Sequence, residues 1–203
     1  AAYTLPYWIK TGENGTIWFN QHTGNKISSF NPNNLTLIEY WIPSQNKLWG
    51  PCRDSVGQCG ISNALQFDVD KNNEVWFSEW SENKIGRVLT DRVLPLNVSV
   101  LPHNFTLQRG GNEEVRINVT SNKDTTLTAD MLAAGSFTPT GNLGNLSGLF
   151  SENSVRLEPG QTKQISFIVT PTEQLVAGNY TLMVGAETSD ASVLRAIQVT
   201  IPK

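Results

Sequence analysis

Two cysteines, Cys52 and Cys59, carry the most specific chemistry in this sequence, with six residues between them in a segment rich in Gly and Pro. They are too few for a structural zinc site, which takes four ligands, and their spacing is not the Cys-x-x-Cys of redox proteins. The only histidines, His22 and His103, lie far away in sequence. We therefore predict a Cys52–Cys59 disulfide, worth about 2–3 kcal/mol through loop closure. Two unrelated free thiols are the alternative.

A candidate metal site lies at Asp68, Asp70 and Asn72, with Glu79 eleven residues after the first aspartate. This spacing resembles a calcium loop, but the glycine required at the sixth position is Asn73, and no flanking helices are visible. A turn between two strands is rich in Asp and Asn for conformational reasons alone. We expect no metal and no cofactor, and we keep the three residues only as a candidate.

Asn-x-Ser/Thr sequons occur at about twice the frequency expected by chance for this composition. The seven asparagines are Asn14, Asn34, Asn97, Asn104, Asn118, Asn145 and Asn179. Together with a disulfide, they favour an exported chain carrying N-linked glycans. The chain opens with Ala1-Ala2 and has no charged leader region, so we expect that any signal peptide has been removed.

The composition excludes some classes of function. The net charge is −3, and only 16% of the residues are charged. A duplex nucleic-acid binder needs a concentrated basic face, so we expect no nucleic-acid partner. No apolar run approaches the roughly 18–20 residues of a membrane-spanning helix. We expect an extracellular or cell-surface location, and archaeal surface proteins are the source that the composition favours.

An internal repeat organises the first half of the chain. Residues 13–30 and 71–88 share a pattern 58 positions apart. Each has a turn, an apolar strand containing Trp-Phe, a polar connection, and then Asn-Lys-Ile in another short strand. The first copy continues into a third strand, Leu35–Ile42. This spacing predicts up-and-down antiparallel strands.

The repeat resembles the blades of streptogramin B lyase-like β-propellers, which read approximately Ile/Val-Trp-Phe-Thr-Glu followed by Asn-Lys-Ile-Gly-Arg. Residues Val75–Glu79 with Asn83–Arg87 match closely, and Ile17–Gln21 match more loosely. The resemblance covers roughly residues 1–92. It implies that Pro6–Lys10 form an innermost strand and that two blades form an incomplete propeller.

The resemblance also implies a magnesium-assisted elimination that opens a cyclic peptide ester, using Glu and His near the propeller axis. Glu79 stands at the glutamate of the family pattern, whereas the other repeat has Gln21 there, and His22 aligns with Trp80. General acid–base catalysis needs a proton carrier close to the substrate. Two histidines cannot supply the family's constellation, so we expect no catalytic residues and no enzyme. We expect Glu79 to hold a neighbouring turn.

From about Pro95 the sequence changes to alternating strands separated by Asn, Gly, Pro and Asp. The predicted strands are Val98–Leu101, Glu114–Val119, Thr126–Met131, Gln164–Val169, Tyr180–Glu187 and Leu194–Ile201. Their number and length predict an immunoglobulin-like β-sandwich. Gly178–Leu182 resembles the Gly-x-Tyr-x-Leu strand of bacterial and archaeal surface Ig-like modules. The fold class is therefore all-β, with blades at 1–93, an insertion at 44–63, and a sandwich at 94–203.

Two blades expose faces that repeat arrays normally bury against neighbours. The apolar N-terminal segment can add as a strand to an open edge of another molecule. The strand-exchange candidates are Ala2, Tyr3, Thr4, Leu5, Pro6, Tyr7, Trp8 and Ile9. Pairing within the same chain as an ordinary edge strand is the alternative.

These features predict a secreted, N-glycosylated structural subunit that self-associates into a surface layer or filament by strand exchange. One alternative is a fragment of a lyase-like propeller enzyme, and another is a surface carbohydrate-binding module. The repeat aromatics Trp18, Phe19, Trp76 and Phe77 are expected in the core. Trp80, which is less core-like, is the tryptophan expected to bind sugar in the last alternative.

Overall fold

The computed structural model describes residues 4–48, 60–134, 146–172 and 175–203. It is an all-β protein of several antiparallel sheets, none of which closes into a barrel or a ring within these residues. The chain divides into two compact units. The first comprises Ala1–Val93 with Ser189–Ala191, and the second comprises Leu94–Thr188 with Ser192–Lys203.

The first unit contains two antiparallel sheets. The four strands of the first sheet, in order, are β1 (Pro6–Thr11), β2 (Ile17–Gln21), β3 (Lys26–Asn31) and β4 (Thr36–Trp41). The three strands of the second sheet are β5 (Ala64–Val69), β6 (Val75–Glu79) and β7 (Lys84–Val88), with a 3₁₀ turn at Trp80–Glu82 between the last two. Trp18, Ile27, Phe67 and Phe77 belong to the core between the sheets.

The two sheets are structural copies at a spacing of 58 residues. Left-handed backbone recurs at Gly15 and Asn73, with φ of 79° and 59°, and at Asn25 and Asn83, both at 52°. Gly and Asn are the residues that adopt this conformation at least cost. Loop hydrogen bonds recur in the same way: the His22 N–H donates to the carbonyl of Leu5, and the Trp80 N–H to that of Asn63. The sequence repeat is therefore a repeat of backbone geometry.

Asn20 ties the two sheets together. Its Oδ1 accepts hydrogen bonds from the N–H groups of Tyr7 and Trp8 at 3.2 and 2.7 Å, where the pairing of β1 with β2 shifts register. Its Nδ2 donates to the carbonyls of Ala64 and Leu65 at 2.5 and 3.1 Å. A fully buried amide thus finds partners for both of its ends, as buried polar groups require.

The second unit is a two-sheet sandwich. One sheet contains β8 (Leu96–Leu101), β10 (Glu113–Ser121), β14 (Thr162–Pro171) and β12 (Leu146–Phe150). The other contains β13 (Ser154–Leu157), β11 (Leu127–Ala134), β15 (Gly178–Glu187) and β16 (Ala191–Ile201), with β9 (Asn104–Thr106) parallel to β16. Alternate residues of both sheets form one core that includes Ile117, Phe167, Leu182 and Ile197. This is the layering of a β-sandwich.

A tyrosine corner stabilises the sandwich. Tyr180 is buried on β15, and its hydroxyl donates a 2.7 Å hydrogen bond to the carbonyl of Val176, four residues upstream. This backward bond is a hallmark of immunoglobulin-like sandwiches. Tyr180 is also the tyrosine of the Gly-x-Tyr-x-Leu segment, so the motif coincides with a specific contact.

Candidate interaction surface

Equivalent side chains of the two sheets differ in burial. In the part of the chain that the structure describes, a sheet packs on this face of the first sheet but not on the same face of the second. Trp18 and Ile27 are 3% and 0% exposed, since the second sheet packs on them. Their equivalents 58 residues later, Trp76 and Ile85, are 44% and 77% exposed. The prediction that the repeat aromatics are core residues therefore holds for Trp18 and Phe77, but it is wrong for Trp76.

A complementary exposed position lies on the first sheet. Phe67 of β5 is 4% exposed because it packs in the core between the sheets, whereas its equivalent on β1, Ile9, is 70% exposed. Ile9 and Ile85 thus lie where further copies of the interface between the sheets would form, with Ile9 on the first sheet and Ile85 on the second. We call Trp76 and Ile85 the open face and Ile9 the complementary position.

The outer edge of the second sheet is also incomplete. In the first sheet β4 pairs with β3 from Lys26↔Trp41 to Asn31↔Thr36. The equivalent strand β7 ends the second sheet, and among the described residues only β6 pairs with it. Within the described ranges, the second sheet therefore has no counterpart of β4.

A polar network joins β4 to β2 and β3 in the first sheet. The Gln21 amide donates to the hydroxyl of Ser28 at 2.7 Å and to the carboxylate of Glu39, and Lys26 Nζ lies 2.7 Å from Glu39 Oε2. Burial acts to raise the pKa of Glu39. The charge of Lys26 and the hydrogen bonds from Lys26 and Gln21 together outweigh it and leave the pKa lowered. The carboxylate of β4 therefore completes the bonding of β2 and β3.

Glu79 occupies the place of Gln21 in the second sheet. It is 6% exposed, and its Oε2 has no hydrogen-bond partner among the described residues. Its neighbour in register, Lys84, has an exposed side chain that lies 3.5 Å from Glu82. The expectation that Glu79 holds a neighbouring turn finds no support at Oε2. The sequence aligns Glu79 with Gln21, but it does not predict that the Glu79 carboxylate is isolated.

An open cleft of about 460 Å³ lies between β1 and the second sheet. Aromatic, apolar and polar side chains line it, and Ile9 and Trp76 both border it. The lining residues are Trp8, Ile9, Lys10, Gln66, Phe67, Asp68, Trp76 and Ser78. The guanidinium of Arg87 lies 5.0 Å from the Trp76 ring centroid and 3.4 Å from Glu74. Trp80, the tryptophan expected to bind sugar, is exposed but is not among the residues lining this cleft.

The candidate metal residues have other structural roles. Asp68 pairs with Lys10, and hydrogen bonds from Lys10 and from the Val69 N–H lower the pKa of its carboxyl. Asp70 Oδ1 accepts the N–H groups of Asn72 and Glu74 at 2.8 and 2.9 Å, which closes the turn. Within the described ranges, no three His, Cys, Asp or Glu side chains group as metal ligands.

The N-terminal segment pairs within its own chain, which was the alternative to strand exchange. Pro6–Ile9 belong to β1, which is hydrogen-bonded to β2, and the carbonyls of Thr4 and Leu5 accept the N–H groups of Thr23 and His22. These residues are paired in the first sheet, and their role as an exchanged strand stays a prediction. Ala2 and Tyr3 lie outside the described residues, as do Cys52 and Cys59, and the disulfide stays a prediction.

The sequon asparagines that the structure describes are all accessible. Five are exposed, namely Asn14, Asn34, Asn97, Asn104 and Asn179. Asn118 is half-buried on β10, and Asn145 lies outside the described residues. No sequon falls between residues 37 and 96, so the second sheet carries none. In the described part of the chain, no helix has the length and apolarity needed to cross a membrane.

Comparisons with known proteins give structural similarities only. No protein-family model matches the chain, and no curated protein matches it. A FixG-related protein from Vibrio parahaemolyticus is 13% identical, covering 54% of this chain and 98% of its own, with a TM-score of 0.44. Domains 4 and 5 of the S-layer protein SbsC are 12% identical over 64% of this chain and 65% of theirs, with a TM-score of 0.37.

A streptogramin B lyase structure is 16% identical and covers 96% of this chain and 56% of its own, with a TM-score of 0.35. The three TM-scores lie below 0.5, so these similarities carry no argument about what this chain does. The proposals below depend on the contacts and burial of the chain itself.

Proposed function

We propose that this chain is a secreted structural subunit that self-associates head to tail in an extracellular or cell-surface assembly. The observation that carries the proposal is the difference between Ile27, which is fully buried, and its equivalent Ile85, which is 77% exposed. In the proposed contact, the open face of one molecule packs against the complementary position Ile9 of the next. The contact thus repeats the interface between the two sheets of the first unit.

Apolar burial drives this contact. Fully burying an Ile side chain contributes about 1.5–3 kcal/mol, and exposed apolar patches mark interaction sites. The open face belongs to the second sheet and the complementary position to the first, so the contact is heterologous and builds an open polymer when the rotation does not close. The mode is packing of sheet faces rather than exchange of the N-terminal strand.

The distribution of sequons supports the same arrangement. Glycans on Asn97 and Asn118 would cover an outward face of the sandwich, whereas the second sheet of the first unit has no sequon. A glycosylated molecule would therefore keep its open face bare for protein contact. The proposal gives Glu79 no catalytic role, and a Glu79→Gln variant is expected to self-associate like the unmodified chain.

Complementation between two variants tests the proposal. Ile9→Lys and Ile85→Lys each place a charge at one side of the contact, and light scattering with electron microscopy should show monomers for each alone. An equimolar mixture retains one intact contact per pair and should form dimers but no polymer. Leu149→Lys, which alters an exposed leucine of the second unit, is the matched control and should polymerise.

A monomeric unmodified chain would overturn self-association. The alternative would then be that further sheets of the same kind, in a longer chain, cover both faces. An Ile85→Lys variant that polymerises normally would show that the open face does not take part in the contact. Polymerisation abolished by Ile9→Lys but not by Ile85→Lys would point to a contact between identical β1 edges instead.

The cleft between β1 and the second sheet favours a second candidate function, which is carbohydrate binding. Trp8 and Trp76 offer ring faces, while Gln66 and Ser78 offer donors and acceptors for sugar hydroxyls. Calorimetry with cellohexaose and chitohexaose tests it. Trp76→Ala should abolish binding and Trp80→Ala should not. Binding that is lost in Trp80→Ala and kept in Trp76→Ala would exclude this cleft.

A further inference from the structure

We propose that the outer edge of β7, with which no described strand pairs, binds an extended strand from another chain, and that this strand donates a side-chain amide hydrogen bond to Glu79. The bound strand would stand beside β7 as β4 stands beside β3. This site is an edge of the second sheet, whereas the self-association proposed above uses its face. The two proposals can therefore fail separately.

Backbone geometry shows that the edge is shaped for a strand. The β6–β7 register runs from Glu79↔Lys84 to Val75↔Val88, and the β2–β3 register runs from Gln21↔Lys26 to Ile17↔Phe30. Each residue of β7 is thus the 58-residue equivalent of a residue of β3, which carries β4 on its outer side. An unpaired strand edge is a template for pairing with another chain.

The first sheet has Gln21 where the second sheet has Glu79, and this difference indicates which side chain the bound strand presents. In the first sheet the amide of Gln21 donates to the carboxylate of Glu39, across β3. In the second sheet the carboxylate is on β6, at Glu79, and its Oε2 is buried without a partner. A buried acceptor without a hydrogen bond keeps the full desolvation penalty of its polar atom. The complementary group at the position of Glu39 is therefore an amide, as in Gln.

The remaining positions of the bound strand follow from the register. Tyr40 lies opposite Ile27, so an aromatic or aliphatic residue would lie opposite Ile85 and cover it. The N-terminal segment Ala2–Ile9 contains neither Gln nor Asn, and its residues from Pro6 already pair with β2. We infer that the strand comes from another chain with the alternation of β4 and an amide in place of its carboxylate.

Two peptides that differ at one position test this inference. One has the sequence of residues 35–42, Leu-Thr-Leu-Ile-Glu-Tyr-Trp-Ile, and the other has Gln at the position of Glu39; both carry the same soluble tail. The receptor is the Ile9→Lys chain, which leaves β7 intact and removes competing self-association. The Gln peptide should bind about tenfold more tightly than the Glu peptide, because it alone donates to Glu79.

A Glu79→Gln receptor should reverse this preference, because it recreates the pairing of Gln21 with Glu39. The first sheet already holds Gln at the equivalent position, so the substitution suits the fold. Glu13→Gln, which alters an exposed glutamate of the first repeat, is the matched control and should leave the preference unchanged. Hydrogen exchange should show that bound peptide protects the amides of Lys84–Val88.

Absence of binding by both peptides would overturn the strand site. Equal affinities for the two peptides, or a preference that does not reverse in Glu79→Gln, would overturn the role of Glu79. Protection at β1 instead of β7 would place the peptide at the wrong edge and would equally contradict the proposal. None of these results depends on whether the unmodified chain polymerises.

Discussion

Lys26 and Glu39 form a buried ion pair within the first sheet, with Nζ 2.7 Å from Oε2 and side chains only 2% and 12% exposed. The ammonium group also lies 4.0 Å from the ring centroid of Trp41, which adds a cation–π contact. Lys26 lies on β3 and Glu39 on β4, so the ion pair joins two neighbouring strands of the first sheet. Its strength depends on both partners staying ionised.

Acidification should weaken the first unit through Glu39. The pKa of this carboxyl is lowered in the folded state, so its stabilising contribution is present above the unfolded pKa of about 4.3 and is lost as the pH falls through the folded pKa. Glu39→Gln should lower the free energy of unfolding at pH 7 by about 3–5 kcal/mol, because Lys26 stays buried without its counter-charge. The deficit should shrink as the pH falls through the folded-state pKa of Glu39.

Tryptophan fluorescence follows this effect in the first unit, since all six tryptophans lie before residue 93. The control is Asp68→Asn, which removes the exposed pair of Asp68 with Lys10 in the same unit. Exposed pairs contribute about 0–1 kcal/mol, so that variant should lose less than 1 kcal/mol. Equal losses for the two variants would show that burial does not strengthen the Lys26–Glu39 pair.

Asn25 should contribute more to stability than its repeat equivalent Asn83. Both have φ of 52°, but Asn25 is buried and donates to the carbonyls of Ile42 and Ser44 at 2.8 and 3.0 Å. Its Oδ1 also accepts the backbone N–H and the hydroxyl of Ser62. Asn25→Ala should therefore cost about 3–5 kcal/mol, and Asn83→Ala about 1 kcal/mol. Chemical denaturation followed by tryptophan fluorescence measures both, and similar costs would assign the effect to backbone strain alone.

The sequence predicts strands best where burial alternates along the strand. Val98–Leu101, Glu114–Val119 and Gln164–Val169 coincide with β8, β10 and β14 because alternating burial leaves a period of two residues. The short strands β9 and β13 are not predicted, because three or four residues at a sheet edge show little alternation.

The candidate surface was harder to predict, because burial of a repeat residue depends on a neighbouring sheet rather than on its own strand. Trp18 and Trp76 have the same local sequence pattern, yet only Trp18 is covered. The same limit applies to Glu79. Its carboxylate is isolated because no described strand lies beside β7 as β4 lies beside β3. The repeat identifies equivalent positions, and only the three-dimensional arrangement shows which of them lack a neighbour.

Tyr180→Phe should destabilise the sandwich of the second unit. The substitution removes the 2.7 Å hydrogen bond to the carbonyl of Val176 and keeps the buried ring, so the loss should be about 1–2 kcal/mol. Calorimetry should show a lower melting temperature for the second unit. Thr126→Val, which alters an exposed residue of the same unit and its bond to Glu158, is the control and should change the free energy of unfolding by less than 0.5 kcal/mol. A Phe variant as stable as the unmodified chain would show that ring packing alone stabilises the corner.

Glycan occupancy should differ between sequons in turns and the sequon within a sheet. Asn14 and Asn34 are exposed, and their Oδ1 atoms accept the N–H groups of Thr16 and Thr36, which leaves each Nδ2 amide accessible at a turn. Asn118 is half-buried on β10 between Ser99 of β8 and Gln164 of β14. Glycopeptide mass spectrometry of the protein from its native source should find the two turn sites more fully occupied than Asn118.

The turn variants Asn14→Gln and Asn34→Gln should each remove one glycan mass from the intact protein. Full occupancy of Asn118 with bare turns would contradict the accessibility argument, and unmodified asparagines throughout would remove glycosylation from the proposed function.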